Sequence, residues 1–213
     1  MDKRKKLMKI YELLKKEFGK QNWWPAETKF EMMVGAILTQ NVSWNNVEIA
    51  IDNLKENDIL DPFSIQSSSL GEIQKLIKPT GFYKQKSKRL KRLADAVVEN
   101  DGLEKLLQKD DLREYLLNIN GIGPETADSI ILYAADRPKF VVDSYTKRII
   151  NRVIGYEGNY RRLQQFFESN LRYDLELYKE YHALIVELGK NYCKKEPVCN
   201  GCPLIEICKL GKK

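Results

Sequence analysis

The sequence predicts an all-α protein. Apolar residues recur at three- and four-residue spacing along nearly its whole length, no stretch alternates convincingly with period two, and the breaks between periodic stretches are short. Met8, Ile10, Tyr11, Leu13, Leu14 and Phe18 form the stripe of a first helix that Gly19 ends. Trp23-Trp24-Pro25 reads as a loop. Thr28 and Glu31 have the spacing of a capping box, so a second helix starts there and runs to about Leu38. Gln40-Asn41 breaks it, and Ser43 can cap a third helix carrying Trp44, Val47, Ile51 and Leu54. Further helices are expected near 70–77, 84–99, 102–108, 111–118, 124–135, 144–154, 160–169 and 175–190. Phe140-Val141-Val142 is apolar and β-branched but too short to build a sheet.

With 213 residues the chain can bury a real core in one or two small domains. Charged residues make up 31% and hydrophobic ones 43%, which excludes a disordered chain. No apolar run approaches the roughly 18 residues of a spanning helix, and the start Met1-Asp2-Lys3-Arg4-Lys5-Lys6 lacks the apolar stretch of a secretion signal. No membrane role is therefore expected. The formal net charge of +6 and the pI near 9.0 permit a polyanionic partner without requiring one.

All four cysteines, Cys193, Cys199, Cys202 and Cys208, fall near the C-terminal end of the chain. A disulfide scaffold would spread its bridges along the sequence, whereas four clustered thiols read as metal or cluster ligands in a reducing compartment. Zinc sites usually pair two C-x2-C units across a longer loop, and the spacing here is C-x5-C-x2-C-x5-C.

Residues 111–135 carry a second motif. A stripe of Leu112, Leu116 and Ile119 leads into Asn120-Gly121-Ile122-Gly123-Pro124 and then a helix from Glu125 to Ala135. Two glycines allow a tight turn and close approach to a ligand, Pro124 suits the first helical position, and a helix start favours an anion. A plain interhelical turn has the same parts. Downstream, Asp143 follows an apolar run and precedes a helix, which makes it a natural N-cap as well as a candidate catalytic carboxylate.

The string Leu116 to Ala127 resembles the helix-hairpin-helix that grips a DNA backbone. Together with Asp143 some twenty residues later it resembles the core of the helix-hairpin-helix DNA glycosylases, the endonuclease III superfamily. Trp23-Trp24-Pro25, Leu38-Thr39-Gln40-Asn41 and Val141-Val142-Asp143 are similar to motifs of the 3-methyladenine DNA glycosylase III branch, and the resemblance covers roughly residues 22–190. It implies a two-domain helix-hairpin-helix glycosylase fold with an iron–sulfur cluster loop. One domain is expected over 22–135, and the other over 1–21 plus 136–213.

The resemblance also implies roles. Asp143 is catalytic, stabilising positive charge on the deoxyribose or orienting the attacking water. The base pocket is made by Trp23, Trp24, Pro25, Trp44 and Glu125. Gln40 fills the space left by the flipped nucleotide, Phe82 is the intercalating wedge, and Gly121, Ile122, Gly123 and Glu125 meet DNA. The carbonyls of Leu117, Ile119 and Ile122 hold a monovalent cation. Cys193, Cys199, Cys202 and Cys208 hold a [4Fe–4S] cluster, although the family's first cysteine gap has six residues where this one has five, which leaves zinc as an alternative. Bifunctional members carry a lysine amine two residues after the second hairpin glycine, which forms a Schiff base. Here that position is Glu125, so hydrolysis without an efficient lyase step is expected. Some members have a lysine where Leu184 stands.

Lys84, Lys86, Lys88, Arg89, Lys91 and Arg92 could contact phosphates or form a solvated helix face. Lys190, Lys194, Lys195, Lys209, Lys212 and Lys213 surround the cysteine loop. The lone His182, on an apolar helix, reads as structural. The expected activity is a DNA glycosylase on double-stranded DNA with an alkylated purine such as 3-methyladenine, acting as a cytoplasmic, nucleoid-associated monomer. The alternatives are an endonuclease III-like glycosylase and lyase for oxidised pyrimidines, and a non-catalytic DNA-binding module.

Overall fold

The structure, a computed structural model, describes residues 2–211, and these are all helix, turn and loop with no strand. The chain divides into two compact units, Trp24–Asp136, and Met1–Trp23 with Arg137–Lys213. Among the described residues no helix is long and apolar enough to cross a membrane.

The unit Trp24–Asp136 is built around α2 (Lys29–Leu38), which buries nine of its ten residues. Its Thr28 hydroxyl accepts from the Glu31 N–H at 3.1 Å. The expected capping box is only half formed. The Glu31 carboxylate reaches the Glu27 N–H at 3.2 Å and pairs with the Lys55 ammonium at 3.1 Å rather than returning to Thr28. The helix α3 (Trp44–Glu56) starts at Ser43 without the expected side-chain cap. Next comes α4 (Pro62–Ser67), absent from the periodicity because it buries only Ile65; its marks are the Asp61 cap and Pro62 in the first turn. In α5 (Leu70–Leu76) a complete capping box joins Ser69 and Glu72. A single 3₁₀ turn (Lys78–Thr80) leads to α6 (Tyr83–Glu99), α7 (Leu103–Gln108), α8 (Leu112–Asn118) and α9 (Pro124–Tyr133). The core gathers α2, α3, α6, α8 and α9 around residues such as Met33, Leu54, Leu90, Leu116 and Ile130. Burying each such side chain contributes about 1.5–3 kcal/mol against the entropy of ordering the chain.

The other unit holds α1 (Lys3–Phe18), α10 (Ser144–Ile154), α11 (Tyr160–Glu168) and α12 (Leu175–Asn191), with α12 packed on α1 and α10. Its core is aromatic. Phe140 stacks on Phe167 with centroids 3.9 Å apart and meets Tyr178 and Tyr181 edge-on, and the Tyr181 hydroxyl donates to the Leu7 carbonyl at 2.8 Å. The Phe140-Val141-Val142 run is fully buried without joining a sheet. Side chains of α11 replace the missing ladder: the Phe140 N–H donates to the Glu168 carboxylate at 3.1 Å, and Gln164 donates to the Phe140 carbonyl at 2.7 Å. That anchored run leads straight into Asp143.

Candidate DNA-binding and base-excision site

The hairpin joins α8 to α9. The Ile122 N–H donates to the Ile119 carbonyl at 3.0 Å and closes the turn, while the Ile122 side chain is buried beneath it. Gly121 adopts φ +100°, a conformation L side chains rarely take, and a Cβ there would overlap the Arg89 side chain. Gly123 occupies the N-cap of α9 with no side-chain cap, and Pro124 follows in the first turn. Arg113 on α8 holds the buried Asp128 of α9 through a bidentate pair at 2.7 and 3.1 Å, which locks the two helices together. Glu125 lies exposed in the first turn of α9.

Gln40 sits in the turn after α2 and reaches across to this hairpin. Its amide donates to the Thr126 hydroxyl at 3.0 Å and to the Gly121 carbonyl at 3.4 Å, while its own oxygen accepts from the Arg89 guanidinium. Arg92 donates to the Asn120 carbonyl at 3.2 Å and to its side-chain oxygen at 2.9 Å. Phe82 is a 66% exposed aromatic ring on a residue with φ +46°. A bulky residue in the left-handed region costs about 1–2 kcal/mol, and this one projects its ring into solvent.

The six cations of 84–92 are not one solvated face. Lys86 is buried, and its ammonium donates to the Leu38 and Thr80 carbonyls at 2.8 Å each. Burial first, and the Arg89 charge second, lower its pKa to about 8. It ties the turn that carries Gln40 to the turn that carries Phe82. Lys91 binds the carbonyls of Gln66 and Ser68. Only Lys84, Lys88 and Arg92 are exposed. The sequence did hold a signal, because Lys86, Leu90, Leu93 and Val97 share one helical stripe, and a cation on an apolar stripe marks a buried partner.

Trp24, Pro25 and Trp44 line one cavity of about 550 Å³ with Glu27, Glu31, Glu48, Asp52 and Lys55. Trp24 meets Trp44 edge-to-face with centroids 5.5 Å apart and an interplanar angle of 82°, and it leans on Tyr133 at 5.5 Å. The two indoles touch, so a flat ligand would lie against one of them rather than between them. Trp23 belongs to the other unit, where the Lys190 ammonium lies 5.4 Å from its ring centroid.

Asp143 is also in that unit, at the N-cap of α10 and 8% exposed. Its Oδ1 accepts twice from Thr146, from the N–H and from the hydroxyl, both at 2.7 Å. Its Oδ2 faces Nε2 of His182 at 3.9 Å. On the sequence alone His182 reads as structural, because nothing in its local pattern places it beside Asp143, some forty residues earlier.

The four cysteine thiols line a single, almost wholly apolar cavity of about 20 Å³, and no disulfide joins them. Arg152 holds the loop, donating to the Lys194 and Lys195 carbonyls at 2.6 and 2.8 Å and approaching Cys193 Sγ at 3.5 Å. Burial first, and then the neighbouring sulfurs, raise the Cys202 thiol pKa against an opposing backbone hydrogen bond from Leu204. Among the described residues no three Cys, His, Asp or Glu side chains converge closely enough for one metal ion. Of the surrounding lysines, Lys212 and Lys213 lie outside the described residues.

The hairpin, the all-helical fold and the Asp-capped helix behind a buried run define a DNA repair glycosylase built on a helix-hairpin-helix. The chain belongs to the HhH-GPD superfamily of base excision DNA repair proteins, whose pattern matches residues 34–172. A Methanocaldococcus jannaschii protein with the provisional name of DNA repair glycosylase is 52% identical over 95% of both chains. Endonuclease III of Sulfolobus acidocaldarius is 28% identical over 96% of this chain and 92% of its own. The structure of H. pylori 3-methyladenine DNA glycosylase bound to 1,N6-ethenoadenine is similar with a TM-score of 0.78 and 31% identity, covering 89% of this chain and 98% of that one. Endonuclease III trapped covalently on DNA shares the fold, with a TM-score of 0.86 at 20% identity over 100% and 98% of the two chains.

Proposed function

We propose that the protein excises cationic alkylated purines, 3-methyladenine foremost, from double-stranded DNA by hydrolysis and leaves an abasic site. The observation that carries this reading is the lining of the Trp24–Trp44 cavity, where indole faces and four carboxylates answer a single ammonium. Alkylation at N3 or N7 makes a purine cationic and weakens its glycosidic bond. An indole face attracts a cation, stacking contributes about 1–3 kcal/mol per base, and the surrounding carboxylates add long-range attraction. A neutral oxidised pyrimidine gains none of the charge terms. The similarity to the H. pylori protein, a 3-methyladenine DNA glycosylase by name, supports the alkylpurine reading.

Asp143 supplies the negative charge that stabilises the sugar cation as the base departs. Its Oδ1 is committed to Thr146, so Oδ2 is the atom left for this work. Glu125 stands where an amine nucleophile would be, and a carboxylate cannot form an imine, so water completes the reaction. Gln40 and Phe82 hold the duplex open, and the hairpin backbone at Gly121, Ile122 and Gly123 meets phosphate, with a monovalent cation on the Leu117, Ile119 and Ile122 carbonyls. The four cysteines would hold a [4Fe–4S] cluster, since all four residues line one apolar cavity and thiolates are the ligands such a cluster takes. Such a cluster would fold the C-terminal loop against Arg152.

The test is single-turnover release of 3-methyladenine, 7-methylguanine, thymine glycol and uracil from matched duplexes, with borohydride trapping in parallel. Fastest release of 3-methyladenine with little trapped adduct is expected. Fastest release of thymine glycol, with efficient trapping, would establish the endonuclease III-like activity instead.

A further inference from the structure

We infer that His182 is a positioning residue for Asp143, a buried imidazole whose Nε2 stands 3.9 Å from the one carboxylate oxygen that the helix cap leaves open. This deepens the proposed reaction and rests on Asp143 being its carboxylate. The geometry divides the two oxygens. Thr146 holds Oδ1 from two sides and fixes the plane of the carboxylate. Oδ2 points to the middle of α12, where His182 is 5% exposed. The 3.9 Å gap is too long for a direct hydrogen bond and short enough to close by a small rotation or through a water.

The charge state of the imidazole sets what it can do. Burial lowers the His182 pKa below the usual 6.5, and the Asp143 charge only partly opposes this. Near neutral pH the ring is therefore neutral and able to donate one N–H toward Oδ2, which orients the oxygen without cancelling its charge. In acid the ring gains a proton and becomes a cation facing Oδ2. That ion pair neutralises the field needed opposite the sugar. The helices α1 and α10 pack on α12, and Phe167 of α11 meets its Tyr181 ring edge-on at 5.7 Å without bringing a charge to His182. From α1 the titratable Tyr11 meets the Tyr181 ring edge-on, and from the start of α10 the Asp143 carboxylate is the charge that bears on His182.

The chain contains a single histidine, so its imidazole resonances can be followed by NMR without ambiguity. The free protein is titrated as wild type and as Asp143→Asn, which keeps the cap. The wild-type midpoint should lie below 6.5, and the substitution should lower it by about half a unit or more, because the opposing negative charge is gone. An unchanged midpoint would overturn the pairing. This readout needs no substrate, so it stands apart from a failure of the alkylpurine reading. Single-turnover excision with His182→Gln and His182→Phe then tests the role. Both should lower the rate about tenfold or more at pH 7 with unchanged DNA affinity, and both should move the acid limb of the rate profile to lower pH. Wild-type rates and an unmoved limb in either folded variant would reduce His182 to a packing residue.

Discussion

Two helix starts in this molecule face the same physical problem and answer it differently. At α9 the N-cap is Gly123, whose position brings no side chain to the first turn. At α10 the N-cap is Asp143, whose carboxylate accepts from the Thr146 N–H. A helix start carries partial positive charge and unsatisfied N–H groups. A glycine cap puts no capping side chain over those N–H groups, so an anion from outside, such as a phosphate, can approach them beside the Glu125 carboxylate of the same turn. An aspartate cap meets it internally through one oxygen, and the second oxygen of the carboxylate takes no part in the cap. Under the proposed function the same element serves as a grip in one unit and as a catalytic support in the other. The general lesson is that a polar group's function here follows from what the fold has left uncommitted.

Asp143→Asn breaks the comparison most sharply. Asparagine caps about as well as aspartate, so the thermal midpoint should stay within a few degrees of wild type. Excision should nonetheless fall by about a hundredfold or more, because the charge on Oδ2 is lost. Full activity in single-turnover assays would leave Asp143 a cap and nothing else. Cys202→Ser comes next. The protein as purified anaerobically should be yellow-brown with about four irons per chain, and the variant should lose both colour and the protease resistance of residues 192–211. Stoichiometric zinc in the wild type would settle the metal the other way.

On the hairpin side, Asp128→Asn should destabilise the Trp24–Asp136 unit by about 1–3 kcal/mol in denaturant unfolding, since it strips the charge from the buried member of a bidentate pair with the half-exposed Arg113. Gly121→Ala is a smaller and more local change. It forces a side chain into φ +100° and displaces Arg89, which also holds Gln40. Duplex affinity should fall about tenfold while the far-UV spectrum stays helical.

The helix starts were legible in the sequence because caps and glycine turns are local chemistry. Thr28, Asp143 and the Gly121–Pro124 turn announced themselves within four residues. The helix α4 did not, because six residues with one buried side chain carry no period. Features defined by a turn or a short spacing were readable, such as the glycine turn between α8 and α9 and the gathering of the four cysteines around one cavity. Those defined by a distant partner were not. Arg89 meets Gln40 across 49 positions, and Lys86 meets Leu38 across 48. His182 reaches Asp143 through the packing of α12 on α10, a tertiary fact that no local pattern encodes.

The smallest expected effect tests the same distinction within one helix. The cations of α6 look alike in sequence, yet Lys86 and Lys91 are bonded to carbonyls inside the unit while Lys84 and Lys88 are exposed. A cation already neutralised by internal dipoles displaces no counterion from DNA, whereas an exposed one that meets a phosphate does. Lys84→Gln and Lys88→Gln should each weaken duplex binding a few-fold and reduce the slope of log affinity against log salt by about 1. Lys91→Gln should leave that slope unchanged. Lys86→Met should leave it unchanged too, but it should selectively weaken the opened-duplex state, since it unties the Gln40 turn from the Phe82 turn; 2-aminopurine fluorescence beside the lesion would report that loss. An equal reduction of the slope by all four substitutions would mean that DNA pulls Lys86 and Lys91 from their carbonyls on binding, and that committed and open groups are not separate classes in this protein.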